Sequence, residues 1–302
     1  MRTTLFVALL LLGLVGACAG SAGDSQTDKV KVIATTSVLG DVVGRIGGAA
    51  IDLDVMIPPG LDPHDFAPSA QQVAAISSAD LIVANGLGLE EGLEDVLAQA
   101  RSEGIPVIEV GEEVDPLPSG DSGDESGAFD PHFWQDPLRM RSAADVIAAE
   151  LETAGVAEAA GNASEYRAEI DATHAEIEAL VEAIPRQDRM LVTNHDAFAY
   201  FADRYGFEII GTIIPGGSTL AEPSSAEMAQ LVDTIRSRNV TAIFVENTDT
   251  GGLADILAEE IGTDIEIVSL VSDALSEPGT ETGTYLGMML HNATAIANAL
   301  GR

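Results

Sequence analysis

The sequence predicts an α/β protein of two similar lobes, each with a four-stranded parallel sheet flanked by helices, joined by one long spine helix. Short β-branched runs alternate with helical patterns along the whole chain after residue 29. The alternation occurs twice, and one long amphipathic stretch separates the two series. Strands that alternate with helices favour parallel pairing, with helices on both faces of the sheet.

Four strands are predicted in each half from short apolar runs bounded by helical or polar segments. In the first half they lie near residues 30–35, 53–57, 80–84 and 106–110, with helices near 39–46, 70–77 and 89–102. In the second half they lie near residues 190–193, 208–214, 242–245 and 265–270. Runs of this length between helical patterns are typical of strands buried on both faces. The lobes are therefore assigned to residues 30–160 and 187–302.

The spine helix is predicted over residues 162–184. Its apolar stripe repeats at helical spacing and consists of Tyr166, Ile170, Ile177, Val181 and Ile184. Asn162, followed three residues later by Glu165, has the pattern of a helix cap, and Pro185 ends the stripe. A helix of this length spans about 30 Å, enough to run along both lobes. His174 lies on the same stripe and is interpreted as a packed, structural histidine.

The N-terminus predicts export and lipid anchoring. Arg2 precedes an apolar run over residues 5–15, which is shorter than the roughly 20 residues of a membrane-spanning helix but suits the core of a signal peptide. The run ends in Val-Gly-Ala-Cys, which resembles a bacterial lipobox, so residues 1–17 are predicted to be removed and Cys18 to carry a lipid. Residues 18–29 are small and polar, as in a flexible tether. The alternative is an ordinary secretory signal with an incidental cysteine.

Composition excludes several classes of function. The 302 residues include 14 Lys or Arg against 49 Asp or Glu, a net charge of −35, which argues against a nucleic-acid partner. The single cysteine excludes an internal disulfide framework and any cysteine-rich metal site. Aromatic residues make up 4% of the chain, too few for a groove that stacks sugars or bases. The acidic excess favours either a cationic ligand or a solvated surface.

Polar side chains that can bind metal follow four of the predicted strands. His64 lies after the second strand, His132 after the fourth, His195 at the end of the fifth and Asp273 after the eighth. Because ligands of open parallel sheets bind beyond the carboxyl ends of strands, these side chains are expected to converge. Three imidazoles and one carboxylate suit a borderline divalent ion, Zn²⁺ above all. Both His64 and His132 end an Asp-Pro-His triplet, in which proline stiffens the backbone that carries the ligand.

The motifs that contain these residues resemble those of a known family. They are KVIATTSVLGDVVGRIGG, DPHDFAPS, DPHFWQDP, NHDAFAYFADRYGFEIIG and TYLGMMLHN, and they extend over nearly the whole chain after the N-terminal segment. Together they are similar to the zinc- and manganese-binding solute-binding proteins of ABC importers, the ZnuA/TroA-like family. The resemblance implies metal ligands at His64, His132, His195 and Asp273, in a cleft between two lobes bridged by one helix.

The resemblance also implies how such a protein works. It would capture an ion outside the cytoplasm and deliver it to a membrane permease whose ATPase subunit drives release. A monomer is expected, held at the cell surface or in the periplasm by the lipid at Cys18. The protein is therefore predicted to bind metal and the membrane, but not nucleic acid.

The transported ion is expected to be Zn²⁺, with Mn²⁺ as the alternative. Manganese-selective relatives often have Glu at the position of His195, and a harder oxygen ligand suits Mn²⁺ better. Zinc-binding relatives commonly have a histidine-rich acidic loop before the second ligand motif, whereas residues 112–130 here contain seven acidic residues and no histidine. This loop is interpreted as a solubilising insert or a weak collector of cations. Glu246 and Asp249 also follow a strand, and either is an alternative to Asp273 as the fourth ligand.

No enzymatic activity is expected. A zinc-dependent hydrolase, the alternative from another class, needs an open coordination position for water and a general base, and the sequence has no His-Glu-x-x-His motif. A binder of a chelated metal or small organic solute needs a roomier pocket with several polar anchors. His291, in the last predicted helix, matches a family segment that does not bind metal and is interpreted as structural.

Overall fold

A computed structural model of the chain describes residues 29–120, 128–247, 252–262 and 265–301. The described residues form eight β-strands: β1 (Val30–Ala34), β2 (Ile51–Val55), β3 (Leu81–Ala84), β4 (Val107–Glu109), β5 (Met190–Thr193), β6 (Glu208–Thr212), β7 (Ala242–Glu246) and β8 (Glu266–Leu270). They also form nine α-helices: α1 (Ser37–Gly47), α2 (Ala70–Ile76), α3 (Glu94–Ser102), α4 (Pro137–Thr153), α5 (Ala159–Glu182), α6 (Ala199–Tyr205), α7 (Ser225–Arg238), α8 (Leu253–Ile261) and α9 (Tyr285–Leu300). Every strand is followed by a helix, as the alternating pattern of the sequence predicts.

The strands form two separate four-stranded sheets with the same topology. The order is β2-β1-β3-β4 in the first sheet and β6-β5-β7-β8 in the second. Every neighbouring pair is parallel, so the predicted fold class is confirmed. In each sheet the strand order reverses next to the first strand of the lobe, between β1 and β3 or between β5 and β7. Open α/β sheets bind ligands at such a switch point, beyond the carboxyl ends of the strands.

The spine helix, α5, begins earlier than the sequence pattern indicates. It has 24 residues, which corresponds to about 36 Å, and it contacts α1, α4 and α9. The prediction that Asn162 caps this helix is wrong, because Glu158 occupies the N-cap position. The side-chain amide of Asn162 donates instead to the carbonyl oxygen of Ile46, at 2.8 Å. The Asn162 side chain therefore binds the end of α1 and does not cap α5.

Three other elements of the first lobe differ from the sequence prediction. β2 begins at Ile51 and not near residue 53, because Ile51 is buried and pairs with Val30 of β1. α3 begins only at Glu94, after a short 3-10 turn. α4 is not anticipated at all from the sequence. Much of its buried face consists of alanine, which leaves only a weak apolar stripe to detect: Ala143, Ala144 and Ala148.

One large cluster of buried apolar side chains continues from the first lobe, through α5, into the second lobe. Trp134 lies where the lobes meet and is 2% exposed. Its indole nitrogen donates to the carbonyl oxygen of Ser272 at 2.9 Å, and the hydroxyl of Tyr285 donates to the carbonyl oxygen of Trp134 at 2.8 Å. Large aromatic side chains contribute much of the burial energy of such contacts. Trp134 therefore ties the first lobe to the segment of the second lobe that precedes Asp273.

The N-terminal segment lies outside the described residues. The predicted signal peptide over residues 1–17, the lipidation site Cys18 and all of the tether except Lys29 belong to it. Within the described ranges, no helix combines the length and the apolar character that crossing a membrane requires.

The acidic loop predicted over residues 112–130 has a fixed base. The N–H of Asp130 donates to the carbonyl oxygen of Leu117 at 2.8 Å. The hydroxyl of Tyr200, on α6, donates to the carbonyl oxygen of Asp130 at 2.7 Å. Residues 121–127 lie outside the described ranges. The two ends of the loop therefore meet directly before the second Asp-Pro-His triplet.

Candidate metal centre

The four metal-binding candidates from the sequence lie together between the two lobes. One ligand atom from each of His64, His132, His195 and Asp273 lies within 4.8 Å of the other three. The Nε2 atom of His132 is 3.4 Å from that of His64 and 3.2 Å from that of His195. The Oδ2 atom of Asp273 is 3.5 Å from Nε2 of His195. All four residues are buried.

Each of these residues stands in a connection that follows a strand. His64 lies between β2 and α2, and His132 lies between β4 and α4. His195 comes two residues after β5, and Asp273 comes three residues after β8. Strands of a parallel sheet end at the same edge, so each sheet presents two of these connections to the same cleft.

The two Asp-Pro-His triplets form the same local turn. In each triplet the N–H of the histidine donates to Oδ1 of the aspartate, at 2.9 Å for His64 on Asp62 and 2.9 Å for His132 on Asp130. Aspartate favours such turns because its side chain reaches the backbone two residues on, while the proline between them fixes φ. In the second triplet Nδ1 of His132 is also 2.7 Å from Oδ1 of Asp130. That second bond directs Nε2 of His132 into the cluster.

His195 is held by a carboxylate from another element. Its Nδ1 is 2.8 Å from Oε1 of Glu246, the last residue of β7, and its backbone N–H donates to the same oxygen at 3.2 Å. The other oxygen of Glu246 accepts from the hydroxyl of Ser272 at 2.8 Å. Both oxygens of Glu246 are therefore engaged behind His195. A carboxylate in this position fixes the orientation of the imidazole and strengthens it as a metal ligand.

The carboxylate of Asp273 is buried without a donor. Neither of its oxygens has a hydrogen-bond partner among the described residues. The backbone before it is fixed, because Asn292 of α9 accepts from the N–H of Val271 at 2.9 Å and donates to the carbonyl oxygen of Val271 at 2.6 Å. A buried carboxylate without donors is costly unless a cation compensates its charge. The set of donor atoms and this carboxylate without a hydrogen-bond donor fit a divalent cation.

Burial and mutual charge set the pKa values of the cluster. Burial raises the pKa of Asp273 well above its ordinary value. Burial, with the charges of the other two histidines, lowers the pKa of His64 to about 3, and burial with His195 lowers the pKa of His132. Burial opposes the charged form of His195 as well, but Glu246 and Asp273 outweigh it and raise the pKa to about 10. Of the three imidazoles, His195 is therefore the one whose protonated form its surroundings favour, and a bound cation would compete with that proton.

The other two histidines of the chain are not part of this cluster. Nδ1 of His174 is 2.9 Å from the hydroxyl oxygen of Tyr205, which agrees with a structural role. His291 is half-buried on α9, and its Nδ1 is 3.9 Å from a carboxylate oxygen of Glu281. Asp249, an alternative fourth ligand, lies outside the described residues.

The supporting roles of several residues around the cluster were not predicted from the sequence. Glu246 was named only as an alternative fourth ligand, and its contact with Nδ1 of His195 was not anticipated. Glu246 is 51 residues from the histidine it orients. Asn85, after β3, donates to the carbonyl oxygen of Pro131 at 3.0 Å and so fixes the second triplet from outside. Among the supporting residues, only Asp62 and Asp130 could be recognised from the sequence, because both begin an Asp-Pro-His triplet.

The chain matches a protein-family model described as "ZnuA: Zinc-uptake complex component A periplasmic" over residues 32–299. The chain belongs to this family. It is 34% identical over 311 residues to the manganese-binding lipoprotein MntA of Bacillus subtilis, an alignment that covers 99% of this chain and 100% of MntA. It is 31% identical over 312 residues to the zinc-binding protein TroA of Treponema pallidum, with 100% of both chains covered.

Solved structures of periplasmic metal-binding proteins share the fold. The periplasmic zinc-binding protein TroA of Treponema pallidum superposes with a TM-score of 0.84 at 30% identity and covers 91% of this chain and 100% of its own. A manganese-bound periplasmic metal-binding protein from Candidatus Liberibacter asiaticus gives a TM-score of 0.79 at 25% identity and covers 90% and 100%. As a member of this family, the chain is a metal-binding, extracytoplasmic solute-binding protein and not an enzyme.

Proposed function

We propose that this protein captures Zn²⁺ outside the cytoplasm and delivers it to the permease of an ABC importer, with His64, His132, His195 and Asp273 as ligands. The observation that carries the proposal is the carboxylate of Asp273. It is buried, has no hydrogen-bond donor among the described residues, and stands 3.5 Å from Nε2 of His195. Burying such a group costs folding free energy, and a metal cation bound as its ligand would compensate that cost.

The spacing of the ligand atoms supports zinc. Zinc binds imidazole nitrogen at about 2.0–2.1 Å, so neighbouring ligand atoms of a tetrahedral zinc site lie about 3.3 Å apart. The Nε2 atoms of His64 and His195 lie 3.4 and 3.2 Å from that of His132, close to this value. Mn²⁺ favours more oxygen ligands, but it is the second candidate because MntA, at 34% identity, is named for manganese.

The metal content of protein isolated from its own host tests the choice of ion. We expect about one zinc per chain by elemental analysis after isolation in metal-depleted buffer. The His195→Ala variant, purified in parallel, measures how much metal the acidic surface retains when the binding site has lost a ligand. Manganese in place of zinc would overturn the choice of ion. Competition in vitro is less decisive, because Zn²⁺ outbinds Mn²⁺ at most sites.

A lipid on Cys18 would keep the protein close to its partners. MntA of Bacillus subtilis and PsaA of Streptococcus pneumoniae, both named lipoproteins, each align with 99% of this chain. Residues 18–29 would be the tether, and the lobes at residues 30–160 and 187–302 would hold the ion between them as a monomer. The partners are then a permease and its ATPase subunit. The negative surface would give this docking a dependence on salt.

Replacing Glu246 with glutamine is expected to weaken zinc binding about 10- to 100-fold. Glutamine keeps the size of the side chain but loses the charge that strengthens and orients His195, and losing such a partner typically costs this much affinity. Competition with a chromophoric chelator measures the dissociation constant. Glu208→Gln is the control, because it alters an exposed carboxylate in the same lobe, and it should bind like wild type. Equal affinity of Glu246→Gln and wild type would exclude the orienting role.

A further inference from the structure

The three histidines of the cluster differ in what holds their rings. Nδ1 of His132 is bound to Asp130, and Nδ1 of His195 is bound to Glu246. Nδ1 of His64 is buried and has no hydrogen-bond partner among the described residues. The position of the His64 ring therefore depends on the backbone that carries it.

That backbone is hydrogen-bonded to the other lobe at two points. The N–H of Gly60 donates to the carbonyl oxygen of Leu275 at 3.0 Å, and the carboxylate of Asp62 makes the second contact. His64 lies in the connection over residues 56–69, which forms no helix or strand. Asp62 fixes the turn there by accepting from the N–H of His64 on Oδ1, at 2.9 Å. Its other oxygen, Oδ2, accepts from the hydroxyl of Thr219 at 2.6 Å. Thr219 belongs to the second lobe, in the connection over residues 213–224 between β6 and α7.

The segment that carries Thr219 is fixed in turn to the loop of another ligand. The N–H of Asp196, next to His195, donates to the carbonyl oxygen of Gly216 at 3.0 Å. Gly216 has φ of +91°, in the left-handed region that glycine adopts without strain. The connection therefore runs from the His195 loop in the second lobe to Asp62 in the first. It joins two loops of the cluster that come from different sheets.

We propose that the hydrogen bond between Thr219 and Asp62 is a latch that sets the rate at which the bound ion leaves. The proposal rests on the ligand set given above. When the bond opens, the connection keeps the backbone bond between Gly60 and Leu275, but Asp62, which fixes the turn of His64, is no longer held by the second lobe. His64 is the histidine whose ring has no anchor of its own in the described part of the chain. His64 is then the first ligand to leave the ion. Thr219 is a positioning residue, because it acts through Asp62.

Thr219→Val tests the latch, because it removes the hydroxyl and keeps the shape of the side chain. We expect the dissociation rate constant of zinc to rise about tenfold, the effect of losing one hydrogen bond to a carboxylate. The association rate constant should change by less than about twofold, because the latch closes after encounter. Stopped-flow mixing with excess chelator measures the first constant, and mixing with buffered zinc measures the second. Thr219→Ser retains the hydroxyl and should behave like wild type.

Ser218→Ala is the matched control. The Ser218 hydroxyl also reaches the first lobe, where it donates to Oε1 of Glu91 at 3.1 Å, but Glu91 belongs to no ligand turn. This variant is expected to keep the wild-type dissociation rate. The latch is overturned if Thr219→Val releases zinc at the wild-type rate or if Ser218→Ala has an equal effect. It is also overturned if Thr219→Ser is as fast as Thr219→Val, which would assign the effect to packing.

The same assay separates failure of the latch from failure of the ligand set. Wild-type zinc affinity in His195→Ala would refute the proposed ligands, and the latch with them. Loss of affinity in His195→Ala, together with wild-type dissociation in Thr219→Val, would refute the latch alone. Thermal unfolding of each variant without metal is measured in parallel, and Thr219→Ser, which retains the hydroxyl, is expected to match wild type.

Discussion

Replacing His195 with alanine is expected to weaken zinc binding by at least about 100-fold. Four-ligand zinc sites bind with about 10 to 16 kcal/mol, so one ligand of four accounts for roughly 3 kcal/mol, or two powers of ten in the dissociation constant. His195 is fully buried, and its Nε2 lies 3.2 Å from that of His132. No exposed group can substitute for it without opening the cleft. Chelator-buffered zinc titrations measure the loss without interference from the acidic surface.

The same substitution should remove most of the thermal stabilisation that zinc provides. A ligand at about 1,000 times its dissociation constant stabilises the folded state by about 4 kcal/mol, and at about 10 times by only about 1.4 kcal/mol. A hundredfold loss of affinity therefore shrinks the zinc-dependent rise of the melting temperature to roughly a third. Differential scanning calorimetry at one fixed free zinc concentration measures it.

A folding defect must be separated from the loss of a ligand. Without His195, Glu246 is left buried with Ser272 as its remaining side-chain partner, and unpaired buried charges are strongly destabilising. The double variant His195→Ala with Glu246→Gln removes that charge. We expect it to recover metal-free stability relative to His195→Ala but not zinc affinity. If the double variant bound zinc as wild type does, His195 would not be a ligand.

The strands were predictable because each one is a short buried run with its own composition. All eight were placed within a few residues, since β-branched apolar segments between helical patterns leave little choice of structure. The helices were not all predictable from the sequence. The apolar stripe of α5 was visible, whereas α4 was not, because alanines that pack closely give no contrast between the faces of a helix.

The candidate site was found because ligand positions in parallel sheets follow from topology. His64, His132, His195 and Asp273 each follow a strand, which predicts that the two candidates of each sheet lie at one sheet edge. The resemblance to the ZnuA/TroA-like family implied that both edges face one cleft. The hydrogen-bond partners of these residues could not be predicted in this way. Thr219 lies 157 residues from Asp62, and no local pattern indicates that they share a hydrogen bond.

Replacing Asp273 with asparagine should separate binding from stability. Asparagine has the same shape but no charge, and we expect zinc affinity to fall by at least about 100-fold, as for His195. Because Glu246 is engaged by His195 and Ser272, it should not take over as a ligand. Wild-type affinity in Asp273→Asn would instead point to Asp249, the alternative outside the described residues.

Without metal, the Asp273→Asn protein should melt at or above the wild-type temperature. Burial raises the pKa of Asp273 from its ordinary value of 3.8. A carboxyl whose pKa rises on folding holds its proton more tightly in the folded state, so the folded state loses stability as pH rises above about 4. At neutral pH the Asp273 carboxyl therefore opposes folding, and asparagine removes that cost. Thermal unfolding of both proteins in excess chelator at pH 7 measures the difference.

Asp136→Asn provides the opposite case, because Asp136 is equally buried but fully paired. Its carboxylate contacts Arg139 at 2.7 Å and Arg204 at 2.6 Å, and it caps α4 through the N–H of Leu138 at 2.9 Å. Neutralising it should lower the metal-free melting temperature while the folded protein keeps its zinc affinity. The two substitutions then shift the metal-free melting temperature in opposite directions, and only Asp273→Asn lowers the zinc affinity. Equal destabilisation by both substitutions would show that Asp273 is held by protein groups and does not need an ion.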